Sequence, residues 1–278
     1  MSLAATLPYD HPYAGGYPGI GSQPLPTDAD AIDYLSRMAT ADGAGVEVGV
    51  ATAVDAFFRD SKAAGVFDAL KACCILCGAR TITGALVPLA GDAPTAQGGW
   101  ASGDYSRTDG LEGDGNALYL DSNRAGDDDP QNDCHLSVYV TQVSTLGSDQ
   151  ISNRISEVAD GYRTISQNAQ DGDTFFRCSS NNPGTIAGTP TGFLGASRNS
   201  ASEFIARHSE ANETVSVASI GPASTNVRVF NRISTDSFSD AKIAFYSIGS
   251  SLGSNPADGL ADLDTAVTNL ITAIGEAL

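Results

Sequence analysis

The chain has 278 residues, of which 33 are acidic and 15 are basic, so its formal net charge at pH 7 is −18. Nucleic acid and anionic membrane surfaces are poor partners for such a chain, because both bind basic protein faces. Apolar residues make up 41% of the sequence, enough for a folded core. Because the longest apolar stretches are too short to span a bilayer, we also expect no membrane insertion.

The first segment is rich in Tyr, Pro and Gly, and residues 8–28 read PYDHPYAGGYPGIGSQPLPTD. Prolines and glycines at this density prevent a regular helix or strand. Proline lowers the entropy lost on ordering, and tyrosine supplies contact area with few torsions. We predict that residues 1–27 form an extended assembly arm; the alternative is that they wrap their own helical region. The candidate contact residues of the arm are Tyr9, Tyr13, Tyr17 and Ile20.

Residues 28–79 are predicted to form a helical region. Thr27 or Asp28 can cap a first helix within TDADAIDYLSRMATADG. A second helix is predicted from about Glu47 to Ala64, where apolar residues recur at helical spacing. VFDALKACCILCGAR then places apolar residues at i, i+3, i+7 and i+10, and this spacing predicts a third amphipathic helix.

The number of cysteines is odd, and the chain opens without the charged and apolar regions of a secretory signal. We therefore expect reduced thiols in a protein made in a cytoplasm. Zinc needs four ligands, and no second Cys/His pair accompanies the CCILC run, so its thiols are expected in the core. We expect no bound cofactor. The five cysteines are Cys73, Cys74, Cys77, Cys134 and Cys178.

Residues 80–255 are predicted to form a β-sandwich or jelly roll. RTITGALVPLAG (80–91) is interpreted as its first strand, and CHLSVYVTQV (134–143) alternates clearly between apolar and polar residues. Further short apolar segments follow at regular spacing, separated by Gly, Asn, Asp and Ser turns. The predicted fold class is mainly β: an antiparallel sandwich with an N-terminal helical region and a C-terminal helix.

Residues 256–278 are predicted to be the C-terminal helix, with an apolar stripe whose steps of three and four approach a heptad pattern. Two interpretations stay open. Either the stripe packs on the chain's own sandwich, or it joins subunits in a homo-oligomer such as a trimer. The candidate intersubunit contacts are Leu263, Val267, Leu270 and Ile274.

Several segments carry a family resemblance. GLEGDGNALYLDSNR followed by CHLSVYVTQ, and later DAKIAFYSIGSSL, resemble strands of laminin-G-like, concanavalin-type jelly rolls. GARTITGALVPLAGDAPT, GDYSRTDGLEGDGNALYLDSNR and IAFYSIGSSL before a C-terminal helix resemble structural proteins of tailed bacteriophages. The resemblance covers roughly residues 65–278. It departs from the animal laminin-G domains, since their disulfide and a clear calcium quartet are missing.

The resemblance implies a non-enzymatic virion protein that is assembled in the cytoplasm of a bacterial host with other virion proteins. A tail-fibre or spike protein would be a trimer that contacts host-surface glycan. A capsid decoration protein would instead clamp capsomers through the arm. The heptad-like terminal helix favours the fibre, whereas the short chain and the arm favour decoration.

Two features suggest ligands. Trp100, in QGGWASGDY, is the candidate glycan contact, because a tryptophan ring can stack on a sugar; the alternative is that it plugs the edge of the sandwich. The acidic run DSNRAGDDDPQND (121–133) offers hard oxygen ligands for calcium, although its spacing is not that of an EF-hand. An exposed acidic loop explains it equally well. The carboxylates of this run are Asp121, Asp127, Asp128, Asp129 and Asp133.

A glycan-active enzyme is the alternative of another class, because concanavalin-type folds also house glycoside hydrolases. Such enzymes need a pair of carboxyl groups. The glutamates do not show the Glu-x-Asp-x-x-Glu spacing, and Glu210 and Glu213 would face opposite sides of a strand. The histidines are dispersed, and we expect His135 and His208 to be surface or interface residues. The sequence therefore predicts no catalytic residue.

Overall fold

The computed structural model describes residues 25–145, 155–156, 163–168, 172–232 and 237–278. The predicted arm falls outside these ranges except for its last three residues. Its candidate contacts, Tyr9, Tyr13, Tyr17 and Ile20, are therefore not described.

The described ranges contain helices and short strands in an order close to the predicted one. The helices are α1 (Ala29–Asp42), α2 (Val48–Ala63), α3 (Ile82–Ala85) and α4 (Pro256–Ala277). The strands are β1 (Leu70–Ile75), β2 (Thr95–Gln97), β3 (Tyr105–Ser106), β4 (Gly110–Glu112), β5 (Tyr119–Ala125), β6 (Cys134–Gln142), β7 (Ile155–Ser156), β8 (Thr164–Asn168), β9 (Asp173–Arg177), β10 (Gly184–Ala187), β11 (Gly192–Arg198), β12 (Glu203–His208), β13 (Ala211–Ser216), β14 (Asn226–Val229), β15 (Asn231–Arg232), β16 (Ser237–Phe238) and β17 (Lys242–Gly249).

Two antiparallel sheets form the body of the molecule. The first sheet has the order β13-β12-β11-β6-β17-β4-β3, with β1 also paired to β17, and the second has the order β10-β9-β8-β7-β14-β5-β2. Apolar side chains from both sheets fill the space between them. They include Leu120, Leu136, Val138, Val140, Ile165, Phe176, Val227 and Val229. The predicted fold class, a mainly β antiparallel sandwich with helices at both ends, is confirmed.

Helices α1, α2 and α4 form a third layer on the outer face of the first sheet. The aromatic ring of Phe57 in α2 meets that of Phe245 in β17 at 5.9 Å between centroids. Both residues belong to a second apolar core, which lies between the helices and this sheet. The first sheet is thus covered on both faces, so β11 and β17 are buried along nearly their whole length.

The predicted third helix is wrong, because residues 70–75 form strand β1 against β17, with Cys74 opposite Tyr246. Cys73 belongs to the core beside the helices, and Cys74 belongs to the core between the sheets. A strand buried on both faces has apolar residues at consecutive positions, so it lacks the alternation that identifies a strand. The helical spacing in this run was therefore coincidental.

The segment 80–91, predicted as a strand, begins instead with the short helix α3. Thr81 caps this helix by accepting a hydrogen bond from the Gly84 N–H (3.1 Å). The Asp42 carboxylate at the end of α1 accepts hydrogen bonds from the Arg80 and Thr81 N–H groups at 2.7 and 2.9 Å. These contacts give the segment an alternative to pairing in a sheet.

The predicted C-terminal helix is confirmed as α4, and it packs on its own chain. Leu263, Val267, Leu270 and Ile274 are at most 2% exposed and belong to the core that α4 shares with α2 and the first sheet. The stripe is therefore occupied within one chain, whereas the oligomeric state stays a prediction. None of the helices within the described ranges is long and apolar enough to cross a bilayer.

Candidate functional site

A cleft of about 650 Å³ lies on the outer face of the first sheet, beside the C-terminal half of α4. Five parts of the chain meet there: strands β6 and β11, helix α4, the β3–β4 loop and the β12–β13 turn. The side chains that matter for its chemistry are Thr108, Asp109, Tyr139, Thr141, Phe193, Ser209, Glu210, Asp264 and Thr268.

Two aromatic residues contribute to the wall that the sheet provides. Tyr139 and Phe193 are register partners on β6 and β11, so their side chains lie on the same face. Phe193 is buried, whereas Tyr139 is half-buried. Burial raises the pKa of Tyr139, and its side chain lies beside that of Thr268. The cleft therefore combines an aromatic ring with a phenol that stays protonated at neutral pH.

A chain of polar contacts ties this aromatic residue to α4 and β12. Arg207 Nε donates to Asp264 Oδ2 at 2.8 Å, and the two side chains are only 9% and 8% exposed. Thr268 Oγ donates to Asp264 Oδ1 at 3.0 Å. Because Thr268 also contacts Tyr139, the ion pair and the ring hold one another in place. Such support preorganises a binding site.

The turn between β12 and β13 forms part of the rim and has a strained backbone. Ser209 and Glu210 have φ angles of 50° and 61°, in the left-handed region. A two-residue hairpin turn of this kind normally contains Asn-Gly or Asp-Gly. Left-handed backbone at a non-glycine residue costs about 1–2 kcal/mol, and such strain is concentrated at functional sites. The turn places the exposed carboxylate of Glu210 at the cleft.

Asp109 also lines the cleft, in the loop before β4. Its carboxylate accepts a hydrogen bond from Ser106 Oγ at 2.9 Å, and its carbonyl oxygen accepts one from Thr141 Oγ at 2.5 Å. Asp109, Glu210 and Asp264 thus present carboxylates in one cleft, and Arg207 pairs with the last of them. The lining is acidic and rich in hydroxyl groups.

Trp100, the predicted glycan contact, lies away from the cleft at an edge of the sandwich. Its Nε1 donates to the Tyr119 carbonyl oxygen at 3.3 Å. Its ring meets that of Phe230 edge-on, with 5.4 Å between centroids. The half-buried side chain packs against the core between the sheets, as the alternative interpretation of this residue predicts.

The acidic run 121–133 is engaged by protein groups. Asp129 is buried and pairs with Arg124 at 2.5 Å and Arg163 at 3.5 Å, whereas Asp127 is exposed. Asp121, Asp128 and Asp133 accept hydrogen bonds from the Asn226 amide, the Ala125 N–H and the Ser251 N–H, respectively. Over the residues that the structure describes, no group of three or more His, Cys, Asp or Glu side chains is arranged to hold a metal ion. Calcium binding stays a prediction.

His135 was predicted to be a surface or interface residue, but it is fully buried at the start of β6. Its Nδ1 lies 2.6 Å from the Ser250 carbonyl oxygen, which can only accept, so Nδ1 carries the proton. Nε2 then accepts from Ser247 Oγ at 3.0 Å, and Ser247 accepts from Ser137 Oγ at 2.7 Å. The prediction failed because a neighbouring hydroxyl group and a carbonyl group provide hydrogen-bond partners for both ring nitrogens, so the ring can be buried.

Comparison with protein-family models and with curated proteins finds no match to this chain. The family resemblance therefore stays an expectation.

Sequence reasoning missed the cleft, because its residues lie far apart in the chain. Asp109, Tyr139 and Asp264 were not singled out, and Glu210 was considered only as half of a glutamate pair. One signal was available: residues 209–210, which join β12 to β13, lack the glycine that a two-residue hairpin turn favours. A rule-breaking turn of this kind marks a candidate site.

Proposed function

We propose that this chain is a non-enzymatic structural protein of a bacteriophage virion surface, of the tail-fibre or spike type, which binds host glycan. The observation that carries the proposal is the cleft beside α4. A half-buried tyrosine ring can stack on the apolar face of a sugar, and the surrounding carboxylates and hydroxyls can bind sugar hydroxyls. A concave site with an aromatic residue and a few positioned polar groups is typical of small-ligand recognition.

The charge of the chain and its resemblance support the virion part of the proposal. A net charge of −18 suits a protein displayed at high density, because neighbouring copies of like charge repel one another and so avoid non-specific association. The resemblance to structural proteins of tailed bacteriophages covers roughly residues 65–278, which include all the residues of the cleft. The cleft also predicts a preference among glycans, since its carboxylates disfavour acidic sugars and favour neutral or amino sugars.

The test is binding to an array of neutral, amino and acidic oligosaccharides, followed by titration of the best ligand. We expect Tyr139→Ala to weaken binding at least about tenfold, or ~1.4 kcal/mol, and Tyr139→Phe to retain most of it because the ring remains. Glu210→Gln changes an exposed side chain and should weaken binding without changing Tm. Trp100→Phe is the matched control outside the cleft and should bind like the wild type.

The absence of glycan binding by the wild-type chain would overturn the proposal. Binding that survives Tyr139→Ala but is lost in Trp100→Phe would show that the cleft is not the glycan-binding site and would place that site at the sandwich edge. Equal Tm values of the variants and the wild type show that a loss of binding is not a loss of fold.

A glycan-active enzyme is a second candidate, favoured by the carboxylates of Asp109, Glu210 and Asp264 in one cleft. Glycoside hydrolases act through two carboxyl groups that flank the scissile bond. For a binding protein, we expect bound oligosaccharides to be recovered intact after prolonged incubation. New reducing ends that disappear in Asp109→Asn or Glu210→Gln would establish the enzyme instead.

Capsid decoration through the arm is the alternative within the structural class. The Asp55 carboxylate accepts hydrogen bonds from the Thr27 and Asp28 N–H groups, both at 2.7 Å, so the start of α1 is held against α2. A firm anchor at this point suits an arm that reaches a neighbour. Light scattering with and without residues 1–26 separates the roles. A trimer in both cases supports the fibre, and a monomer that joins particles only with the arm establishes decoration.

A further inference from the structure

Two buried cysteines touch across the space between the sheets. Cys134 begins β6 in the first sheet, and Cys178 directly follows β9 in the second. Their Sγ atoms are 3.4 Å apart, although 44 positions separate the residues in the chain. Both side chains are fully buried. A disulfide requires an S–S distance of about 2.05 Å, so the two sulfur atoms, now 3.4 Å apart, must approach one another by a further ~1.4 Å to bond.

The surroundings of the pair favour reaction at sulfur. Ser179 Oγ lies 3.4 Å from Cys134 Sγ and accepts from Arg163 Nε at 3.2 Å. Arg198 Nε donates to the Cys178 carbonyl oxygen at 2.5 Å. These two arginines are fully buried, and positive charge near a thiol stabilises its thiolate. The contact with Cys178 lowers the pKa of Cys134 to about 7, while burial raises the pKa of Cys178.

We propose that Cys134 and Cys178 are a redox-active pair that forms a reversible disulfide between the two sheets of the sandwich. The proposal is independent of the glycan-binding function. It identifies a covalent modification site that a reducing cytoplasm keeps open and an oxidising exterior closes.

Disulfide formation from two thiols needs a two-electron oxidant, and hydrogen peroxide can serve as this oxidant. The Cys134 thiolate attacks one oxygen of hydrogen peroxide, the O–O bond breaks, and a sulfenic acid and hydroxide form. The Cys178 sulfur then attacks the sulfenic sulfur, and the leaving hydroxide takes the Cys178 proton as water. Two thiols have lost two electrons and two protons, and the peroxide has become two water molecules. A small thiol reductant reverses the step by thiol–disulfide exchange.

The remaining three cysteines provide an internal control. Cys73, Cys74 and Cys77 are as deeply buried as the reactive pair. Cys73 and Cys74 face opposite sides of β1, toward different cores. Burial raises the pKa of Cys74 and of Cys77 to about 12, so neither offers the thiolate that starts the reaction at Cys134.

The test uses the full wild-type chain, treated with hydrogen peroxide or with a reductant, then denatured, alkylated and digested after Lys and Arg. Cleavage places Cys134 in the peptide 125–154, Cys178 in the peptide 178–198, and the other three thiols in the peptide 72–80. After peroxide treatment we expect peptides 125–154 and 178–198 to be linked, with peptide 72–80 fully alkylated. After reduction we expect all five cysteines to be alkylated.

A stability measurement provides a second readout. Closing a chain loop of this length should raise Tm by about 5–15 °C in the oxidised wild type relative to the reduced protein. Cys178→Ala should abolish this difference, whereas Cys77→Ala should preserve it. Full alkylation of Cys134 and Cys178 after peroxide treatment, or a linkage that involves peptide 72–80 instead, would overturn the proposal.

Discussion

Two glycines of helix α4 show how the surroundings of one Cα decide which residue is tolerated. A Cβ at Gly259 would overlap the backbone carbonyl oxygen of Leu252, whereas a Cβ at Gly275 would point into open space. At Gly259 the loop that enters the helix packs directly against its backbone, so close approach explains the glycine. At Gly275 the structure gives no such reason, and the glycine costs helix stability.

The two glycines therefore give a matched pair of variants. We expect Gly259→Ala to lower the free energy of unfolding by about 1–3 kcal/mol, because the added methyl group overpacks the loop. We expect Gly275→Ala to raise it by up to about 1 kcal/mol through helix propensity. Urea unfolding measures both. Equal effects of the two substitutions would contradict this account of α4.

The residues of the candidate site were not predictable one by one. Tyr139 lies on the face of β6 that borders the cleft, but no local pattern in the sequence indicates that a helix residue such as Asp264 lies beside it. Trp100 stood out in the sequence because of its chemistry, yet it packs on Phe230. The type of a residue indicates which ligands it could contact, whereas strand pairing and side-chain packing decide whether it is exposed to a ligand at all.

At the scale of elements, pattern reasoning succeeded where the two faces of an element carry different residue types. Helix α2 shows a clean period because one side of it is exposed, and strand β6 shows one because His135 and Ser137 alternate with apolar residues even where both faces are buried. Strand β1 was mistaken for a helix because both of its faces are covered. Segment 80–91 was mistaken for a strand because its structure depends on Asp42, which lies about 40 positions earlier. Local sequence carries no record of such partners.

The ion pair between Arg207 and Asp264 fastens α4 to β12, and its strength can be measured. Asp264→Ala should lower the free energy of unfolding by about 3–5 kcal/mol, because it leaves a buried guanidinium without its partner. The double variant Arg207→Met/Asp264→Leu should be less destabilised than that single variant, since it buries no charge.

The exposed pair of Asp33 and Arg37 in α1 is the control for this experiment. Its side chains are 69% and 41% exposed, so Asp33→Ala should change the free energy of unfolding by less than about 0.5 kcal/mol. If the two aspartate variants proved equally mild, the buried pair would not fasten the helix.

For the whole molecule, His135 predicts a loss of stability in mild acid. Burial lowers its pKa from 6.5 to about 4, so the folded state prefers the neutral ring. The resulting stabilisation is complete above pH 6.5 and is lost as the pH falls to 4 and below. It amounts to about 3 kcal/mol. Urea unfolding at pH 7 and at pH 4 measures the difference.

His135→Gln is the control for this titration and should flatten the pH dependence of stability between pH 6.5 and pH 4. An unchanged pH dependence in this variant would assign the acid sensitivity to other groups.

Asp55 affects stability at lower pH. Burial alone would raise its pKa, but hydrogen bonds from the Asp28 and Thr27 N–H groups lower it from 3.8. Its contribution is therefore lost only as the pH falls below that value.

The position of β17 has a consequence for the order in which the molecule can fold. This strand pairs with β6 along one edge and with both β1 and β4 along the other. It is the last strand in the part of the chain that the structure describes, and α4 follows it to cover the first sheet. During synthesis, β1 and the first two helices therefore lack β17 and α4, against which they pack, until residues 242–278 leave the ribosome. Closing contacts so distant in sequence is slow, so the nascent chain exposes apolar surface over a long interval in which aggregation competes with folding.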